Sequence, residues 1–304
     1  MLSTPFNECA RNAHSQHGED GIIERILHLL PCDKWCVEVG AWDGIYASNT
    51  YNIIKHHGYK AVLIEPDKKK FKVLKRNLLR YNAMFVNEYV NFNGKNTLDK
   101  LLAGTSIPLN FDFLSIDIDG CDYYIFESLV TYRPKLICIE YNPTIPNDVV
   151  FVQSKNLRVK QGASAKAIVD LARLKGYELL AITRCNLFLL DRSLLPEINL
   201  SEGFSLNQLR DDTDSKIHLF CGFDGSIITD KPVKLIWHDL PVNQSQLQVL
   251  PKYIRQYPGD YSFLKKIVLG TFLMFHHPKE LMKLVKHYFG MRRGSVGSAT
   301  RKWH

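Results

Sequence analysis

The 304-residue chain contains no C-x-x-C pair, no internal repeat and no low-complexity segment. Its longest strongly apolar run, Ile267 to Phe275, is nine residues and is interrupted by Gly270, whereas a bilayer span needs about 20 apolar residues. A membrane-crossing helix is therefore not expected. The seven cysteines (Cys9, Cys32, Cys36, Cys121, Cys138, Cys185 and Cys221) are odd in number, and no second Cys/His pair stands at zinc-ligand spacing from Cys32 and Cys36, so they are expected to be buried free thiols. Met1 to Ala13 has no apolar segment of signal-peptide type and carries Glu8, which makes the cytosol the expected location. Acidic residues are scarce in one region only. Residues 251–304 hold 11 Lys/Arg against 2 Asp/Glu, a balance of +9, and the first 250 hold 28 against 29, a balance of −1. The net +8 thus resides in the tail, which is suited to an anionic membrane face, a nucleic acid or an acidic partner.

What is present is ordinary globular material: 45% hydrophobic, 11% aromatic and 23% charged residues. Apolar Ile22, Ile23, Ile26, Leu27, Leu29 and Leu30 recur at helical spacing between Gly18 and Leu30. Trp35 to Val39 then reads as a strand, followed by a turn and a helix over Asn49 to His57 opened by Ser48 or Asn49. The alternation continues through a strand at Ala61 to Ile64, a basic helix at Lys68 to Tyr81, a strand at Ala83 to Val86 and a short helix at Thr97 to Leu102. Next come a strand at Phe111 to Ile116, a helix at Tyr123 to Val130 and a strand at Leu136 to Ile139. Strands alternating with helices predict a parallel sheet. Pro143 to Lys160 has no period and is expected to be a loop or lid. Ser164 caps a helix over Ala165 to Lys175, and strands follow at Glu178 to Thr183 and Asn186 to Asp191. This divides the chain into a body over residues 1–195, an extension over 196–258 and a basic helical tail over 259–304. In the extension, Ile217 to Cys221 and Val233 to Trp237 read as strands on either side of a turn at Asp224-Gly225.

The strongest local signal is Val37-Glu38-Val39-Gly40-Ala41-Trp42-Asp43-Gly44, an apolar strand running into a glycine-bearing turn. Gly40 lets the backbone approach a ligand closely. Trp42 and a missing third glycine depart from the dinucleotide fingerprint, which argues against a nicotinamide dehydrogenase. Acidic Glu38 and Asp43 suit a ligand with a cationic group. Glu65, at the tip of the next strand in Ile64-Glu65-Pro66-Asp67, lies 21 residues beyond Gly44, where an adenosine ribose is held by its hydroxyls.

These motifs, with Ser15-Gln16-His17-Gly18-Glu19-Asp20-Gly21, Ser48-Asn49-Thr50, Asp112-Phe113-Leu114-Ser115-Ile116-Asp117-Ile118-Asp119-Gly120, Ile139-Glu140-Tyr141-Asn142-Pro143 and Gly162-Ala163-Ser164, arrive in an order that resembles FkbM-type S-adenosylmethionine-dependent methyltransferases, a group of the class I Rossmann-like enzymes. The likeness spans roughly His14 to Asp191. It implies an α/β fold with a seven-stranded, mostly parallel sheet whose last strand is antiparallel, helices on both faces, and methyl transfer to hydroxyls, often of sugars or glycans. By motif position, Glu38, Gly40 and Asp43 would frame the methionine end of the cofactor, Ser48 and Asn49 would bind its carboxylate, Glu65 the ribose and Asn87 the adenine.

Asp117 and Asp119 stand two apart at the carboxyl end of a strand, where open α/β sheets bind ligands. Since the acceptor must be aligned and deprotonated, Asp117, Asp119 or Glu140 would act as base, or Asp117 and Asp119 would hold a magnesium, manganese or calcium ion. Glu140 and Asn142 would contact the acceptor. Asp122 reads as a helix cap, and His14 and His17, beside the first motif, would cover the cofactor or serve as base, although a histidine before a helix is more often structural. Residues 261–289, interleaving apolar side chains with lysines and split by Pro278, form a basic amphipathic element suited to an anionic membrane surface, to packing on the body or to a homodimer. Two rival readings stand beside the enzyme. A nucleic-acid methyltransferase is disfavoured because the N/D-P-P-Y/F tetrad is absent, and a catalytically silent scaffold would keep the fold without its acids.

Overall fold

A computed structural model describes residues 6–286, except residue 284. Residues 284 and 287–304 of the basic tail read from the sequence lie outside the described residues, as do residues 1–5. The chain separates into two compact units, the first ending at Lys216 and the second beginning at Ile217.

The first unit begins with α1 (Glu19–His28), β1 (Trp35–Val39), α2 (Tyr51–His57), β2 (Lys60–Ile64), α3 (Lys68–Leu78) and β3 (Ala83–Val86). It continues with α4 (Leu98–Ala103), β4 (Phe113–Ile116), α5 (Asp122–Ser128) and β5 (Leu136–Glu140), then α6 (Ala165–Leu174), β6 (Tyr177–Ile182), β7 (Asn186–Asp191) and α7 (Leu206–Leu209). The seven strands form one sheet in the order β3-β2-β1-β4-β5-β7-β6. The five strands from β3 to β5 are parallel, and β7 runs antiparallel to both neighbours. This is the Rossmann-like arrangement expected from the motif order.

Because side chains alternate across a strand, the sheet carries two cores. Val37, Val39, Ile64, Leu114, Ile137, Ile139 and Leu189 pack on one face. Cys36, Leu63, Phe113, Leu136, Cys138 and Phe188 pack on the other, against Ile22 and Ile26 of α1, Ile53 of α2 and Leu74 of α3. This second face also carries Glu38 and Ser115, which follow Cys36 and Phe113 by two residues. A core strand that turns polar on one face only is being shaped for something other than packing.

Two expectations need correction and one is met. The first unit runs past Leu195 because residues 207–215 are tied to the 143–147 loop: Asn147 donates its backbone N to Asp212 and its amide to Asn207, and Arg210 donates to the carbonyl oxygens of Pro143 and Ile145. The 143–160 segment is irregular, as expected, but braced. Gln153 accepts from the backbone N of Gln161 and Gly162 and donates to the carbonyl of Val159. Lastly, only Cys36, Cys121 and Cys138 are buried, and Cys221 is exposed.

The second unit consists of the antiparallel hairpins β8 (Leu219–Cys221) with β9 (Ile227–Thr229) and β10 (Val233–Leu235) with β11 (Leu240–Val242), and the helix α8 (Phe263–His276). The turn at Asp224-Gly225 stands between the two expected strands, as read, and it also opens a strand the sequence reading missed, β9, which pairs with β8. Gly225 adopts φ +79° and the Asp224 carboxylate accepts from Ser226 N.

One fully buried acid, Asp112, fastens the start of the sheet. Asp112 accepts from the backbone N of Trp35 at 2.9 Å and from Lys135 Nζ at 2.7 Å, which fastens β1 to the approach to β4. Asp112→Ala leaves these donors unpaired and is expected to cost about 3–5 kcal/mol in urea unfolding.

Candidate active site

The register of the ladders decides which side chains meet. Glu38 stands opposite Leu63 and Ser115, and Ser115 opposite Cys138. Two residues further along each strand the next layer on the same face is Glu65, Gly40, Asp117 and Glu140, and Glu140 is paired across the antiparallel ladder with Asn186. The ladder thus sets the residues singled out at four separate strand tips in one row at the carboxyl end of the parallel strands.

The layer beneath this row is a closed polar knot. The Glu38 carboxylate, 5% exposed, accepts from Ser48 Oγ at 2.8 Å, Asn49 N at 2.8 Å and Thr50 Oγ1 at 2.7 Å. Ser48 Oγ accepts in turn from Tyr51 N at 3.0 Å at the start of α2. The Asn49 amide donates to Ser115 Oγ at 3.1 Å. Burial pushes the Glu38 carboxyl up, and the three donors oppose that shift. Ser48, Asn49 and Thr50 thus fold the chain after β1 back onto Glu38, whose Oε1 receives one donor and whose Oε2 receives two.

Gly40 is required where it stands. It has φ +86°, and a Cβ there would lie 1.9 Å from the carbonyl oxygen of Asp117, so only a bare Cα lets the two turns approach. Asp43 folds back to accept from the backbone N of Ile45 and Tyr46. Trp42 takes a left-handed φ of +48°, leaves its ring 49% exposed under Lys70 Nζ, and donates its backbone N to Glu65 Oε2 at 2.9 Å. The other Glu65 oxygen accepts from Asp67 N at 2.8 Å. Each oxygen of this carboxylate, 5% exposed, therefore keeps a second acceptor position. Asn87 donates its amide to the carbonyl oxygens of Glu65 and Pro66.

Asp117, Asp119 and Glu140 converge, each offering an oxygen within 4.8 Å of the others. None of the three oxygens needed for this is held by a side-chain partner. Asp119 adopts φ +56°, a conformation that Asp tolerates better than most residues. The turn is held from below by Asp122, which accepts from Ile118 N and Gly120 N, both at 2.9 Å; its role is structural, as a brace of the preceding turn. Lys160 donates to the carbonyl of Ile118 at 2.6 Å. Asn142 closes its own turn, accepting from Thr144 and donating to the carbonyl of Gln161.

Crowding the acids has an electrostatic result. Burial, then the charges of Asp122, Asp119 and Glu38, push the Asp117 carboxyl up to about 7. Burial, then Asp117, Asp122 and Asp119, push Glu140 up to about 10, with Lys160 opposing.

Residues that motif reading did not assign frame the row. Asp20, at the start of α1, accepts with one oxygen from the backbone N of Ala13, His14 and Ser15. Glu19 accepts from Thr183 Oγ1 at 2.7 Å and from the Asn186 amide at 3.2 Å, which fastens the helix start to β7 beside Glu140. Their signal was the unusual Glu-Asp pair opening a helix after a glycine. His14 packs its ring edge-on against Tyr51, and His17 donates its backbone N to Glu19.

No protein-family model matches the chain, and no curated protein does. Among solved structures the chain is similar to the N-terminal domain of EvdMO1, crystallised in the presence of S-adenosylhomocysteine and D-fucose, at 8% identity over 57% of this chain and 82% of that one, with a TM-score of 0.37. It is also similar to the putative methyltransferase yhhF from Escherichia coli (14% identity, 60% and 90% covered, TM-score 0.36) and to a putative caffeoyl-CoA O-methyltransferase from Staphylococcus aureus (17%, 57% and 82%, 0.37). These likenesses are too distant to carry chemistry, and the fold rests on the sheet order itself.

The raised carboxyls make stability pH-dependent with a definite sign. A carboxyl that binds its proton more tightly when folded contributes fully below the unfolded value of about 4 and loses that contribution as pH rises. The loss runs through about 7 for Asp117 and on towards about 10 for Glu140. Glu140→Gln is therefore expected to melt close to the unsubstituted protein near pH 5 and above it near pH 8–9 in thermal scans.

Proposed function

We propose that the protein is an S-adenosylmethionine-dependent O-methyltransferase acting on a hydroxyl of a sugar or glycan. One observation carries this reading: a ribose-type acid, a bare glycine backbone and a convergent acid cluster occupy adjacent positions of a single layer, in that order, at the ligand-binding end of the sheet.

The residues fit the cofactor. Both Glu65 oxygens retain an acceptor position for vicinal ribose hydroxyls, Gly40 presents backbone without a side chain, and the Asn87 oxygen would accept from an adenine amino group. Asp43 stands at the methionine end. When bound, S-adenosylmethionine supplies an electrophilic methyl group with its leaving group already attached. The protein's task is then to align the acceptor oxygen and receive its proton. Asp117 suits that role, because a base whose pKa lies near 7 takes up a proton more readily at neutral pH than an ordinary carboxylate. Glu140, still protonated at neutral pH, would donate a hydrogen bond to the acceptor from the far side of Asp117.

The same three acids suit a divalent cation. Asp117, Asp119 and Glu140 would hold magnesium, manganese or calcium through oxygen, the donor type these ions prefer. Such an ion would lower the acceptor hydroxyl's pKa and would keep all three carboxyls ionised.

Titration calorimetry with S-adenosylmethionine tests the cofactor: Glu65→Ala is expected to weaken binding by roughly 30- to 100-fold, the loss of hydrogen bonds to a charged acceptor. No binding by the folded protein would overturn the methyltransferase reading. Binding without turnover on any nucleotide-linked or lipid-linked sugar would leave a scaffold. With an active acceptor, Asp117→Asn is expected to lower kcat by about 100-fold or more while leaving cofactor affinity within a few-fold. Turnover abolished by EDTA and restored by magnesium would assign the acids to a cation; turnover indifferent to EDTA would assign Asp117 to proton removal.

A further inference from the structure

The second unit carries a surface that its own elements do not cover. In α8 none of the residues is buried. At 100° per residue, Phe263, Leu264, Ile267, Val268, Thr271, Met274 and Phe275 fall on one continuous face with no charged residue in it. Phe263 is 77% exposed and Phe275 72%. Lys265 and Lys266 flank this face, Lys265 reaching only the neutral side chain of Gln256. After a break at His277 the chain is helical again from 278, bringing exposed Met282 and Val285 with Lys279, Lys283 and Lys286. Soluble surfaces rarely leave such a stripe open.

We infer that this face docks onto an anionic lipid bilayer, lying in its surface with α8 parallel to the plane. The charge of the segment selects this occupant. Residues 251–304 hold 11 Lys/Arg and 2 Asp/Glu, so the apolar face is rimmed by cations that attract anionic headgroups. A second copy of the same segment would bring like charge to like charge. Length selects the mode of contact: among the described residues no helix is long and apolar enough to cross a membrane, whereas a 14-residue helix with one apolar face lies well in the interface. Phe263, Ile267, Met274 and Phe275 enter the headgroup–acyl boundary, and the lysines stay at headgroup level. The inference is independent of the reaction catalysed by the first unit.

Co-sedimentation of the full chain with vesicles of phosphatidylcholine alone, or with roughly a third phosphatidylserine, tests it. Binding is expected to the anionic vesicles and to fall as salt is raised. Lys265→Glu/Lys266→Glu is expected to weaken it by roughly twentyfold or more, and Ile267→Asp/Phe275→Asp to abolish it, with circular dichroism unchanged in both. The inference is overturned by absence of binding to anionic vesicles, by binding that neither pair of substitutions alters, by equal binding to neutral vesicles, or by a dimer of the free chain that Ile267→Asp/Phe275→Asp dissociates.

Discussion

The close approach of two backbones organises the site. Gly40, at the end of β1, lies so near the carbonyl of Asp117 that a Cβ would overlap it, and this contact sets the turn after β1 against the turn after β4. Trp42 N reaches Glu65 from the same β1 turn, and Asp117 and Asp119 meet Glu140 because β4 and β5 are neighbours in the sheet. The knot around Glu38 and the brace from Asp122 hold the two turns from beneath.

The acids of this protein divide by what their oxygens meet. Asp112, Glu38, Asp20 and Asp122 each receive backbone or side-chain donors from the chain itself and act as local fasteners. Glu65 is intermediate, with one donor on each oxygen and room for another. Asp117, Asp119 and Glu140 are brought together with fewer donors, Asp117 receiving one from the backbone of Asp119, and such crowding costs stability and persists only where the surrounding fold imposes it.

That division explains how far the sequence could be read. Alternation of apolar strands with amphipathic helices was sufficient for the sheet, and acids at successive strand tips were sufficient to place Glu65, Asp117, Asp119 and Glu140 at one end of it. The motif showed Glu38 and Glu65 as glutamates at strand ends but not what surrounds them: Ser48 and Thr50 reach back to Glu38 across ten and twelve residues of chain. Asn142 was likewise legible as a strand-tip residue but not as the closer of its own turn. The hold that residues 207–215 keep on the 143–147 loop depends on contacts sixty or more residues apart, which no local pattern encodes. In the second unit the strand segments were visible and their partners were not, since three-residue strands carry too few positions for an alternation to select a register.

Formal charge is the quantity that the structure revises most. The first 250 residues sum to −1 when every acid is counted as ionised. Glu140, raised to about 10 by burial and by its acidic neighbours, keeps its proton at neutral pH, and Asp117 at about 7 is partly protonated. The region that looked faintly acidic is thus close to neutral or slightly positive unless a cation occupies the cluster, in which case the ion supplies the missing positive charge. In either state the acids hold little net field. Lys265 and Lys266 on α8 are exposed, and Lys283 beyond it pairs with Glu280, so long-range attraction of anionic partners, screened by salt, falls to the second unit.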